Sequence, residues 1–174
     1  MKISSTVPAG ERGAFTIGRR EPEATLADLP AGARALLNNP VTATLACLNA
    51  NGTIHQSPVW IDTDGEHILL NTVRGRLKDR NLRARPRLSL MFTDPTDPFR
   101  WMSIQGQVVA IIDEDDPERG SAATQSINQM SAKYLGKDIY PLRDTHTTEV
   151  RSLFRVEPVH AVVYDPPAKQ SISS

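Results

Sequence analysis

The residues able to do chemistry in this chain crowd into one stretch, Leu69–Leu90, LLNTVRGRLKDRNLRARPRLSL. An apolar run ends in Asn71-Thr72, and Arg74, Arg76, Lys78, Arg80, Arg83, Arg85 and Arg87 then stand against one acid, Asp79. Guanidinium and ammonium heads beside the N–H groups of a helix start favour phosphate or carboxylate. The competing reading is a short solvated helix that happens to be rich in arginine. The whole chain holds 20 Lys+Arg and 20 Asp+Glu, so what lies outside Arg74–Arg87 carries 13 positive against 19 negative residues. Positive charge is therefore local. That points to a confined anionic ligand and away from a nucleic-acid-binding face. The 2 Trp, 3 Tyr and 4 Phe also make a poor base-stacking platform.

The elements that position this stretch can be read from periodicity. Residues 1–25 mix Gly, Pro and charge without a period and are expected to form a flexible N-terminal arm, loose or lying on a partner. Asp28-Leu29-Pro30 opens a short helix that Asn38-Asn39-Pro40 stops. Val41–Leu48 alternates as a strand, Asn49–Gly52 makes a hairpin turn, and Thr53–Ile61 is the partner strand. Pro58 confines that partner to an edge or a bulge, because proline cannot donate to a ladder. After the turn at Asp62–Gly65, Glu66–Thr72 is a third strand.

The basic segment gives a helix over about Arg76–Arg85, with Asp79 and Arg83 as an i,i+4 pair and Pro86 as its stop. Leu88–Thr93 and Trp101–Ile112 are further strands, the second bulged at Gly106. Asp116-Pro117 starts a helix on which Ala123, Ile127, Met130 and Tyr134 recur, ended by Gly136. Lys137–Glu149 is a polar connection and Val150–Tyr164 a sixth strand, interrupted by Pro158. The tail over 166–174 is expected to be disordered, leaving 26–165 as the folded domain. Six strands joined mainly by hairpins predict a mainly β, antiparallel small barrel with a few flanking helices.

Gly52 through Trp60 (GTIHQSPVW), then Asn71-Thr72, then RGRLKDRNLRARPRLSL, then Ile104-Gln105-Gly106, stand in an order that resembles the split-barrel flavin and deazaflavin oxidoreductases of the pyridoxamine 5'-phosphate oxidase type. The likeness runs over about residues 35–165. It implies a six-stranded FMN-binding split barrel and a homodimer with cofactor sites along the subunit interface. It also implies that Ser57, Val59 and Trp60 lie along the ring system, largely through backbone groups, with Asn71 and Thr72 beside the ring or ribityl chain. Arg76 and Lys78 would hold the phosphate, Asn81 would support their loop, and Gln105 would reach the site from the partner subunit.

The segment resembles the coenzyme F-420 branch more than the branch that oxidises pyridoxamine phosphate. A phosphate with an oligoglutamate tail would give Arg80, Arg83 and Arg85 something to meet, whereas FMN, the alternative, needs fewer cations. The strand IHQSPVW lacks the basic ends expected for pyridoxamine phosphate, and only Arg143, His146 and Arg151 are available as a substrate-phosphate set near the C-terminus.

The implied reaction is hydride transfer from the reduced deazaflavin to a small unsaturated molecule with a conjugated C=C, C=N or tetrapyrrole acceptor. Such chemistry asks for positioning and exclusion of water rather than a catalytic triad or a metal. No catalytic residue or metal ligand is therefore assigned. A non-catalytic flavin- or haem-binding carrier is the rival from another class.

Of the histidines, His55 and His160 read as structural, His67 as facing solvent in a hairpin, and His146, in the polar connection, as the candidate substrate contact. Trp60 and Trp101 could wall a ring, although packing is the simpler role for Trp101; Tyr134 reads as core or interface before substrate wall. Cys47 is the only cysteine and sits in an alternating apolar run as a core thiol. There is no apolar run of transmembrane length, and MKISSTVPAGERGAF lacks the apolar core of a secretory signal, so the expected location is the cytoplasm.

Overall fold

Alternation decides the barrel. In β3 (Ala43–Leu48), Ala43, Leu45 and Cys47 are buried while Thr44 and Leu48 face outward, because successive strand side chains point to opposite faces. β4 (Ile54–Val59) pairs with it antiparallel through the Asn49–Gly52 turn, with Pro58 opposite Thr44. The structure, a computed structural model, describes residues 1–9, 14–21, 23–144 and 148–165.

Before this hairpin come β1 (Lys2–Ala9), β2 (Ala14–Glu21) and helix α1 (Ala31–Asn38). After it come β5 (Ile61–Thr63), β6 (Ile68–Val73), α2 (Leu77–Ala84), β7 (Arg87–Thr93) and β8 (Trp101–Asp113). Helix α3 (Ser121–Leu135) and the long strand β9 (Arg151–Tyr164) complete the described chain. The sheet runs β2-β1-β9-β8-β7-β3-β4, with β6 also paired to β9 and β5 to β6. The expected mainly β split barrel is present, with nine strands among the described residues rather than six.

The three additional strands have local causes. The reading of 53–61 as one strand fails at Trp60: β4 pairs with β3, whereas β5 pairs with β6. Pro58, as expected, lies on an edge strand. The other two strands come from the N-terminus, where an arm without regular structure was expected. β1 and β2 form a hairpin, and β1 runs parallel to β9 from Lys2–His160 to Ser5–Val163. Apolar alternation is weak there, so the ladder comes from backbone pairing that a search for hydrophobic period does not detect. The expected tail over 166–174 and His146 lie outside the described residues.

Leu45, Leu90, Phe92, Ile104, Phe154 and Val156 are fully buried in the barrel, each contributing about 1.5–3 kcal/mol relative to exposure. A smaller cluster, Leu69, Ile112 and Leu153 of the sheet against Ala123, Ile127 and Met130 of α3, lies outside the barrel wall. Gly106 is where the β8–β9 register shifts, facing Pro158, and a Cβ there would come within 2.5 Å of Val156 Cγ1. The expected helix start at Asp116 is corrected. Asp116 caps a separate turn through Glu118 and Arg119, and α3 begins at Ser121. Gly136 closes α3 in the left-handed conformation, φ 65°.

Candidate functional site

A pocket of about 240 Å³ opens where the chain crosses from β4 to β5. Its apolar side is Val59, Trp60, Ile127 and Met130, and its cationic side is Arg76, Lys78 and Arg151. Asn71 and Thr72 lie between them. Asn71 donates through Nδ2 to the Ala123 carbonyl at 2.9 Å, which turns its Oδ1 away from α3. That Oδ1 and Thr72 Oγ1 are buried without a hydrogen-bond partner in the described protein. Unpaired buried polar atoms are costly, so two of them at one pocket suit a polar ligand.

Trp60 is fixed from behind. It stacks on Tyr134 with ring centres 4.9 Å apart and 8° between planes, and meets Tyr140 edge-on at 6.1 Å. The Tyr134 hydroxyl donates to the Val41 carbonyl at 3.0 Å and accepts from the Ile61 N–H at 3.2 Å. Tyr134 is therefore core, and it supports the wall rather than forming it. Trp101 packs against Tyr164 instead.

The cations are positioned by the turn into α2. Gly75 sits at φ 88°, in the region glycine tolerates, and its N–H donates to Asp79 Oδ2 at 2.8 Å. The other Asp79 oxygen accepts from Arg83 Nε at 2.8 Å, so the predicted i,i+4 pair exists and tethers the loop carrying Arg76. Neither Arg76 nor Lys78 has an acidic partner among the described residues. Burial, then the charge of Arg76, pulls the Lys78 ammonium pKa below its usual range, with Cys47 opposing.

Four other arginines of the segment are engaged, while Arg87 lines a different groove. Arg74 pairs with Asp115 and Asp113, Arg83 also reaches Asp113, Arg80 bonds the Gly75 carbonyl, and Arg85 bonds the Leu48 carbonyl and Asn81. The expected trail of Arg80, Arg83 and Arg85 along a ligand is thus occupied by internal contacts.

Of the nine cofactor residues expected, Val59, Trp60, Asn71, Thr72, Arg76 and Lys78 line this one pocket. Asn81 is buried behind it, donating to Asn49 Oδ1 at 2.8 Å and lying 3.7 Å from Cys47 Sγ, so it ties α2 to the β3–β4 turn. Ser57 faces the barrel side opposite Leu45, its Oγ buried and unpaired. Gln105 is exposed on the outer sheet face, in a separate apolar groove of about 460 Å³ with Leu48, Ile54 and Val159. Arg143 is consumed by Glu114. Cys47 is buried, which pushes its thiol pKa up. His160 bonds Ser4, in line with a structural role, while His67, expected to face solvent, is half-buried and bonds Asp64.

Tyr140 and Leu142 also line the pocket and were not singled out; two large apolar residues inside a polar connection were the available signal.

The family model for pyridoxamine 5'-phosphate oxidase matches residues 29–161, through every element just described from α1 to β9. The chain belongs to that family. Its members bind flavin-type cofactors. A solved F-420 reductase is 27% identical, with a TM-score of 0.62 over 76% of this chain and 98% of that one. A conserved hypothetical protein from Mycobacterium tuberculosis is 23% identical over 77% of this chain and 86% of its own, TM-score 0.53. General Stress Protein 26 from Bacillus anthracis shares the fold at 14% identity, covering 78% and 93% of the two chains, TM-score 0.53. No curated protein sequence matches the chain.

Proposed function

We propose that this protein is a coenzyme F-420-dependent oxidoreductase that reduces an unsaturated organic molecule. The observation that carries the reading is the pairing of Arg76 and Lys78, free of acids among the described residues, with the unpartnered Asn71 Oδ1 and Thr72 Oγ1 beside Trp60. A phosphate fits the two cations and the start of α2. A flat heteroaromatic ring fits the Val59–Trp60 wall, and its polar edge fits Asn71 and Thr72. The bound, reduced cofactor would supply the electron pair, and the chain would hold the ring at fixed distance and exclude water. The 27% identity to an F-420 reductase supports the deazaflavin.

FMN is the second reading. One observation favours it: Arg74, Arg80, Arg83 and Arg85 are bonded internally, and of the basic segment only Arg76 and Lys78 line the pocket, which a single phosphate would satisfy. Side-by-side titration with F-420 and FMN separates them. Saturable F-420 binding with weak FMN binding is expected; tight FMN binding with none for F-420 would reverse the assignment. Binding of either without turnover on a panel of C=C and C=N acceptors would favour a carrier.

A homodimer belongs to the same proposal. At about 240 Å³ the single-chain pocket is below the roughly 300–1,000 Å³ of typical ligand sites. The apolar groove carrying Leu48, Ile54 and Gln105 suits a second copy, which would bring Gln105 toward the cofactor. No helix among the described residues is long and apolar enough to cross a membrane; a cytoplasmic location stays part of the proposal.

A further inference from the structure

Arg151 is the one pocket cation that the cofactor assignment does not use. It opens β9 beside Val73, and its side chain is 4% exposed yet lines the pocket. Its guanidinium lies over the Tyr140 ring, 4.6 Å from the centroid, which fixes the plane of the fork. Among the described residues its only acidic contact is Glu149, itself 7% exposed, with Oε1 2.5 Å from Nε. Neither atom makes an aligned hydrogen bond, and both are buried. A guanidinium carries five N–H donors, and a buried one whose Nε has no aligned acceptor among the described residues is poorly explained as a structural ion pair alone.

We infer that Arg151 is a specificity residue that holds a planar carboxylate on the substrate. The inference rests on the reading of this pocket as the cofactor site and adds the substrate class: a conjugated acid whose unsaturated part lies against the ring. Arg76 and Lys78 sit at the turn into α2 and serve the phosphate. Arg151 sits on β9 under Tyr140 and Leu142, where Ile127 and Met130 supply an apolar floor for the rest of the acid. Glu149 holds Arg151 in place before the acid arrives and competes with it for the fork.

Calorimetric titration of the full chain with trans-cinnamate and with methyl trans-cinnamate tests this. The native protein should bind the acid about ten-fold more tightly than the ester, as expected for a charge-assisted contact. Arg151→Met combined with Glu149→Gln, which leaves no lone buried charge, should abolish that preference. Glu149→Gln alone should strengthen acid binding several-fold, and it decides the matter if the double variant fails to fold. Equal binding of acid and ester by the native protein overturns the inference, as does a preference that survives loss of Arg151. A double variant that loses F-420 or FMN affinity by more than about two-fold would place the contact on the cofactor and also overturn it. Failure of the native protein to bind either cofactor would sink the functional reading separately, since the acid–ester comparison needs no cofactor.

Discussion

Lys78 shows at residue scale how the proposed binding role would differ from a structural one. Its ammonium is partly desolvated, carries a lowered pKa and lies beside another cation. A group held like this costs the fold something and is repaid when an anion arrives. Lys78→Ala should therefore weaken cofactor binding by about 1.5–3 kcal/mol, the range for a charge-assisted hydrogen bond. It should also leave the urea unfolding midpoint unchanged or slightly raised. Unaltered affinity in a fluorescence titration would remove Lys78 from the site, and a large drop in midpoint would make it a structural residue. Arg83 is the opposite case, its Nε bonded to Asp79 and one terminal nitrogen to Asp113 and Ser152.

Among the elements, α3 does the positioning. It covers Leu69 and Leu153, backs Trp60 with Tyr134, and sends Lys133 to the carbonyls of Leu37 and Ile61. Its start depends on Gly120, whose φ of −59° any residue could adopt. Space is the constraint there: a Cβ would lie 2.1 Å from the Glu114 carbonyl oxygen and 2.6 Å from that of Asp116. Gly120→Ala must push backbone apart, and a loss of about 2–4 kcal/mol is expected by analogy with overpacked sites. Chemical denaturation measures it, and a loss under 0.5 kcal/mol (about the spread of neutral surface changes) would show that the turn is free to move. Reduced cofactor affinity should accompany the loss, because Asn71 takes its orientation from the α3 carbonyl of Ala123.

At the scale of the molecule, two properties follow from the packing. Ile54 is 68% exposed and Leu48 46% on the outer sheet face, an apolar patch suited to self-association. Ile54→Glu is expected to shift the protein from dimer to monomer in sedimentation velocity and to weaken cofactor binding with it. A native protein that is monomeric at micromolar concentration would dismiss the interface. The second property is acid sensitivity. Burial pushes the Glu114 carboxyl up, but hydrogen bonds from Arg143, Thr124 and the Arg151 backbone prevail and hold it at about 2, below its ordinary 4.5. A depressed carboxylate stabilises the fold above the unfolded value and loses that contribution as pH falls toward the folded one. Between pH 4.5 and about 2, Glu114 should therefore withdraw about 1–2 kcal/mol, allowing for the solvent that still reaches it. Glu114→Gln should flatten that part of the stability–pH curve; an identical curve would assign acid sensitivity elsewhere.

Local pattern determined much of this protein. Period-two burial placed Val41–Leu48 and Leu88–Thr93, glycine and asparagine placed the 49–52 turn, Pro58 marked an edge, and Gly106 marked the irregularity in β8. Concentrated charge around Gly75 marked the loop that brings cations to the pocket, because a turn and its flanking charges are contiguous in sequence. Tertiary structure decided what contiguity cannot carry. Backbone pairing docked residues 2–5 on β9, where no hydrophobic period announces a strand. Acids from distant elements chose which arginines stay available: Asp113 and Asp115 neutralise Arg74 and Arg83, while Arg76 and Lys78 face the pocket. Tyr140 and Arg151, separated from the basic loop by β7, β8 and α3, became its neighbours only in the fold, where β9 pairs with β6 and Arg151 packs on Tyr140. Charge in a sequence is a count, and only the fold determines which charges have already found each other.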